Sequence, residues 1–290
     1  HAPAPVDLGT VKGLHNKWIL SRLEGVKEEE DQALESYRFN DAAQCAYKFL
    51  WNEFCDWYLE LIKADMRDEG DAKKEAQFVL YTVLKEILLL LHPMIPFVTA
   101  EVWNSLPGCE GTDIAVQLYP ESRPQCRKNE DADEMTFVQE VISAIRTIRA
   151  ELNIKPSLKL SVVLRPASEQ QGALLEANRS FMELARLEHL SIDANAHAPK
   201  ASASNVVRGC EVIVLLSGAV DFQAEVARLA KEIGKVDKDL TALDAKLANP
   251  GFMSRAPAEL VESEKARHTD LEDKKTKMLA LQKRFMEAMG

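Results

Sequence analysis

A mainly α chain in three parts is predicted: a helical bundle, a small α/β subdomain and a C-terminal antiparallel coiled-coil hairpin. Three observations lead there. Between residues 38 and 91 apolar side chains recur at spacings of three and four, the period of helices with a buried stripe. Beyond about residue 126 the pattern changes, and short β-branched runs such as LKLSVVLRP and CEVIVLL follow a helical stretch. From Phe222 to Leu247 the apolar residues alternate spacings of four and three, which is a heptad seam.

The elements follow in order. VKGLHNKWILSRLEG, 11 to 25, reads as a short amphipathic helix with Leu14, Trp18 and Leu23 near one face and Gly25 as its stop, and a second helix holds the acidic EEEDQALESY. RFNDAAQCAYKFLWNEFCDWYLELIK, 38 to 63, has its stripe in Phe39, Ala42, Ala43, Ala46, Phe49, Leu50, Phe54, Trp57 and Leu61. Tyr47, Trp51, Asn52 and Tyr58 lie off the centre of that stripe, so they pack on a neighbouring helix or face a partner. KKEAQFVLYTVLKEILLLL, 73 to 91, is apolar on most faces and belongs inside the bundle. Pro93 and Pro96 end it and start the next helix, FVTAEVWNSL. Residues 107 to 126, rich in Pro and Gly, read as an extended crossing.

In the second part a helix, EMTFVQEVISAIRTIRAELNI, precedes the strand LKLSVVLRP; a helical stretch covers about 173 to 187, and LEHLSID and CEVIVLL are two more strands. In the third, Phe222, Val226, Leu229, Ile233, Val236, Leu240, Leu243 and Leu247 form the seam. NPGFMSRAP breaks it, and Leu260, Leu271, Met278, Leu281 and Phe285 mark a second stripe. Two stripes of similar length about a sharp break predict a hairpin arm about 40 Å long at 1.5 Å per residue. The domain boundaries expected are 1–125, 126–217 and 218–290.

The chain of 290 residues has ordinary globular composition, 46% hydrophobic and 28% charged. It begins HAPAPVDLGT without an initiator Met, which reads as a piece excised from something longer. Its five cysteines are scattered without a CxxC pair, so reduced thiols and a cytoplasmic location are expected. No run of about 18 apolar residues calls for a membrane. The net charge of −10 argues against binding nucleic acid through an overall field. Residues 219–290 carry 13 basic and 13 acidic residues, so the first 218 hold the whole excess; local phosphate contacts stay open. Glycine-rich phosphate loops, HExxH and GxSxG are absent, and the six histidines never fall at metal-ligand spacing. No catalytic residue, metal or cofactor is assigned, and His92 before Pro93 reads as a packing or capping group.

Two features keep paired readings. The aromatic helix 38–63 supplies core rings, or rings that stack on unpaired bases beside polar groups, as proteins read RNA loops. The hairpin is an oligomerising coiled coil, or an arm whose Lys231, Lys235 and Lys238, on one face, track a phosphate backbone; Glu232, Asp237 and Asp239 close by balance them.

Four strings then act together. NKWILSRL (16–23), the whole of 38–63, LLLLHPMIPFVTAEVW (88–103) and LANPGFMSRAPAELVESEKAR (247–267) resemble, in order and separation, the C-terminal half of the valyl-tRNA synthetase family. HPMIPF and FCDWYLE alone would fit the isoleucyl and leucyl enzymes too; the closing hairpin narrows the choice. The resemblance implies an anticodon-binding bundle, a small connecting α/β region and a coiled-coil arm lying along the outer corner of the tRNA. It assigns Arg22, Phe39, Asn40 and Asp41, at facing helix ends, to the anticodon site, with Lys48 and Asn52 outside them and Lys231, Lys235 and Lys238 on the arm. The partner implied is tRNA for valine, bound by a monomer without DNA or membrane. The family's ATP-binding signatures and editing segment are absent, so ATP belongs to the catalytic domain of a parent enzyme, and this piece alone is expected to be inactive. A coiled-coil interaction module is the alternative.

Overall fold

The computed structural model describes residues 2–67, 69–199, 201–216, 222–255 and 257–289. By contacts the chain forms two compact units, His1–Ser143 with Ala173–Ala185, and Ala144–Gly172 with Arg186–Gly290. No helix among the described residues is long and apolar enough to cross a membrane.

The first unit is helical. α1 (Leu14–Glu35) is followed by α2 (Phe39–Lys48), which continues without a break into a π-helical segment (Phe49–Tyr58) and α3 (Leu59–Leu61). After α4 (Lys63–Arg67) come α5 (Asp71–Leu91), α6 (Pro96–Ser105) and the start of α7 (Asn129–Glu151). Ile19, Leu20 and Leu23 of α1, Ala42 and Phe49, Val79, Val83 and Ile87 of α5, and Met135, Val138 and Ile142 of α7 are buried apolar residues of this unit. Each buried Leu or Ile is worth about 1.5–3 kcal/mol, so this apolar set dominates its stability.

Gly25 does not stop α1, which runs ten residues further, to Glu35. A glycine inside a helix costs only about 1 kcal/mol, and the turns beyond it are held by buried charge. Lys27, 1% exposed, donates to Glu24 Oε1 at 2.9 Å and to the Glu121 carbonyl at 3.2 Å, and pairs with Glu86 of α5. Arg123 donates to Glu24 Oε1 at 3.1 Å and Glu86 Oε1 at 2.6 Å. The crossing segment 107–126 is thereby fastened to α1 and α5, with two short 3-10 turns, Ile114–Val116 and Pro124–Cys126, along it.

Two aromatic residues depart from the expected stripe. Phe39 is 56% exposed rather than core. Tyr58, expected off the stripe, is fully buried, and its hydroxyl donates to Asn16 Oδ1 at 2.7 Å. The wider π turn rotates the later residues away from the positions that 3.6 residues per turn predicts. Asn16 in turn donates to Glu75 at 3.0 Å, which ties α1, the π segment and α5 together. His92 shares a 2.8 Å hydrogen bond with the buried Thr99 hydroxyl, and Pro96 opens α6 at its first turn.

The second unit contains a four-stranded sheet. β1 (Leu160–Arg165) is followed by α8 (Glu169–Ala177), β2 (Leu187–Ile192), β3 (Ser202–Val207) and β4 (Cys210–Leu215). The order is β2-β1-β4-β3, with β1 and β2 parallel and the other pairs antiparallel. β3 is the strand that sequence reading lacks: SASNVV is a polar edge strand, paired to β4 by its backbone through a turn with Arg208 and Gly209 at φ 47° and 82°.

α9 (Phe222–Leu247), α10 (Pro250–Arg255) and α11 (Ala258–Met289) form the hairpin. Leu229, Ile233, Val236, Leu240 and Leu243 of the heptad seam are buried. Cross-links run antiparallel: Lys246 to Glu264 at 2.7 Å, Asp244 to His268 at 2.7 Å, Asp237 to Lys275 at 2.6 Å, and Gln282 to the Val226 carbonyl at 3.2 Å. The seam is therefore filled within the chain. In the second stripe Leu260 is 43% exposed while Val261, one residue on, is buried.

Candidate nucleic-acid interface

A cavity of about 400 Å³ in the first unit is lined by Trp18 and Arg22 of α1, Asn52, Glu53 and Trp57 of the π segment, and Asn129 to Gln139 of α7. Arg22 projects from the middle of α1, not from a helix end, because that helix passes through Gly25. Its guanidinium makes a two-pronged contact with Glu53, Nε to Oε2 at 2.6 Å and Nη2 to Oε1 at 2.8 Å. That hydrogen bond raises the Arg22 pKa against the opposing effect of burial, so the cation is permanent and its plane is fixed. Asn52 is exposed at the same cavity, and the Gln139 amide nitrogen is buried without a hydrogen-bond partner. Indole faces, a fixed guanidinium, a carboxamide and an unsatisfied N–H₂ are the groups that hold a flat, hydrogen-bonding heterocycle such as a nucleobase.

Of the residues assigned from sequence, Arg22 and Asn52 meet in this cavity. Phe39, Asn40 and Asp41 are not among its lining residues; they open α2 and are all exposed. Asp41 is held by Arg38 at 2.9 Å, and Phe39 stands edge-on to Tyr37, ring centres 6.3 Å apart. Lys48 is exposed and reaches Gln44 at 3.2 Å. Beside it Tyr47 and Trp51, 57% and 49% exposed, lie 6.3 Å apart, so α2 and the π segment carry two accessible ring pairs able to stack on unpaired bases. Sequence reasoning missed Trp18, Glu53, Asn129 and Gln139 as site residues. Trp18 and Trp57 carry the period of core residues, and α7 joins the cavity from more than 70 residues away, so spacing held no signal for them.

On the arm, Lys231, Lys235 and Lys238 are exposed. Two of the acids that balance them in sequence are engaged elsewhere, Glu232 with Arg228 at 2.7 Å and Asp237 with Lys275. That leaves the three ammonium groups on an outer face, opposite the seam.

Residues 16–164 match the family model of the anticodon-binding domain of tRNA ligase, and residues 221–284 that of the valyl tRNA synthetase tRNA binding arm. The valine--tRNA ligase of Nitratidesulfovibrio vulgaris is 57% identical over 290 residues, all of this chain and 33% of that protein. The same ligase of Geobacter sulfurreducens is 43% identical over 281 residues, 96% of the chain and 31% of the relative. That of Geobacillus stearothermophilus is 36% identical over 272 residues, 93% and 31% respectively. The chain thus spans about a third of the length of the curated relatives it matches.

Proposed function

Because the chain belongs to the valyl-tRNA synthetase family, with that family's anticodon-binding domain and tRNA-binding arm, we propose that it recognises the tRNA for valine. The helical part, 1–125, reads the anticodon with the first half of α7; the rest of 126–217 connects; the arm, 218–290, holds the tRNA along its phosphate backbone. The observation that carries this reading is the cavity in which the Arg22–Glu53 fork and Asn52 stand beside Trp18 and Trp57. One anticodon base enters it, and Asn52 makes the hydrogen bonds that distinguish that base. Phe39, Asn40 and Asp41 with Tyr37, and Lys48 with Tyr47 and Trp51, meet neighbouring nucleotides by stacking and phosphate contact. Lys231, Lys235 and Lys238 supply point charges to the backbone. The chain acts as a monomer in the cytoplasm, without DNA or membrane. It positions tRNA for ATP-dependent attachment of valine by a catalytic domain outside these residues.

Asn52→Ala tests the site, since this exposed side chain can be removed without leaving a buried partner unsatisfied. Its loss is expected to weaken binding of the valine tRNA by about tenfold, within the 1–3 kcal/mol of a specific base contact. Binding of a tRNA with an altered anticodon is expected to be unchanged. Equal weakening for both RNAs would remove Asn52 from base reading.

A further inference from the structure

A second concentration of positive charge lies in the α/β part, away from the cavity residues and the arm lysines in sequence. α7 ends at Glu151, Asn153 turns the chain at φ 52°, and the loop IKPSLK leads into β1. Arg149, in the last turn of α7, donates from Nη1 to the carbonyls of Lys155 at 3.2 Å and Leu158 at 2.6 Å, and from Nη2 to that of Arg186 at 3.3 Å. Arg186, itself at φ 56°, donates back to the Pro156 carbonyl at 3.1 Å. Its own carbonyl accepts from the Leu160 amide at 3.1 Å. One guanidinium thus staples three backbone carbonyls into a compact knot, and Lys155, Lys159 and Arg186 all leave that knot into solvent.

Burial lowers the pKa of Arg149 first, and the neighbouring Arg186 cation lowers it further. Cations held together against their mutual repulsion favour an anion arriving between them. Neither 155–159 nor Arg186 brings an aromatic ring, so the surface offers charge without a stacking face, which suits sequence-independent contact with phosphates.

We propose that residues 155–159 with Arg186 form a phosphate-contact surface for an RNA backbone, separate from the base-reading cavity and from the arm. Its biological partner rests on the tRNA-binding reading; its chemistry does not. The α/β part is then a third grip on RNA instead of a mere connector.

The test uses the 290-residue chain and a short RNA duplex with no hairpin loop, titrated over a range of KCl. The unmodified chain is expected to bind with a linear log–log salt dependence, and the double variant Lys155→Gln, Lys159→Gln to bind several-fold more weakly with a slope shallower by about one to two. These side chains are exposed, so the melting temperature stays put, and Arg186→Lys, which keeps the charge, keeps the slope. An unchanged slope in the folded double variant overturns the proposal, as does a duplex that the chain does not bind. So does a slope that responds only to Lys231→Gln, Lys235→Gln and Lys238→Gln. Because the duplex has no anticodon, none of these results depends on base reading, which fails or stands on anticodon-altered tRNA.

Discussion

Glu30 is a carboxyl group held out of water. It is fully buried on α1, and burial pushes its carboxyl up to about 7, against the pull of the neighbouring Tyr119 hydroxyl. In the unfolded chain the group releases its proton near the ordinary value of 4.5, while the folded chain holds it to about 7. The folded state therefore binds more protons across that window, and stability falls as pH rises through it. Glu30→Gln removes the dependence. In urea titrations the variant should gain about 3 kcal/mol over the parent at pH 8, and no more than a few tenths at pH 4. A parent chain as stable as the variant at pH 8 would show that Glu30 is solvated. Nothing in EEEDQALES marks Glu30 for this role. Three consecutive glutamates look alike in sequence, and only packing against the crossing segment, whose Tyr119 lies far along the chain from Glu30, separates the buried one from the solvated ones. Arg22 and Asn52 were legible as polar groups beside aromatic ones, whereas Gln139 and Asn129 depend on where α7 lies.

At the scale of elements, legibility follows period. The heptad seam of α9 is regular, and its five central residues are buried against α11. The strands β1 and β4, with Val162, Val212 and Val214 buried, show the β-branched runs that predict them. β3 fails because backbone pairing alone makes it a strand. The π segment fails because a run with i→i+5 hydrogen bonds advances each residue by less angle than a 3.6 period assumes, which carries Tyr58 inward. The arm is an element with its own seam and its own cross-links. Removal of residues 219–290 should therefore weaken tRNA binding and make its salt dependence shallower by about two or more, as loss of three phosphate contacts requires. The remaining chain should keep its cooperative melt, followed by circular dichroism. Loss of that melt would show that the arm stabilises the helical unit.

Over the whole molecule the net charge hides a local arrangement. The excess of acid sits in the first 218 residues, where much of it is spent internally: Glu24 and Glu86 on Lys27 and Arg123, Glu53 on Arg22, Glu75 on the start of α1. A chain of net charge −10 can bind a polyanion when its acids are paired inward and selected cations are left outward. Lys231, Lys235, Lys238, Lys155, Lys159 and Arg186 are exposed cations, and on the reading proposed above they add affinity without sequence preference. On the same proposal, preference for one tRNA falls to the cavity around Arg22 and Asn52. The most direct measurement is binding of the 290-residue chain to the tRNA for valine and to the same tRNA with its anticodon exchanged, at two salt concentrations. About tenfold or greater preference for the valine anticodon, kept at both salts while overall affinity falls with salt, is the result expected. Equal affinity for the two RNAs at both salts would contradict anticodon reading by this chain.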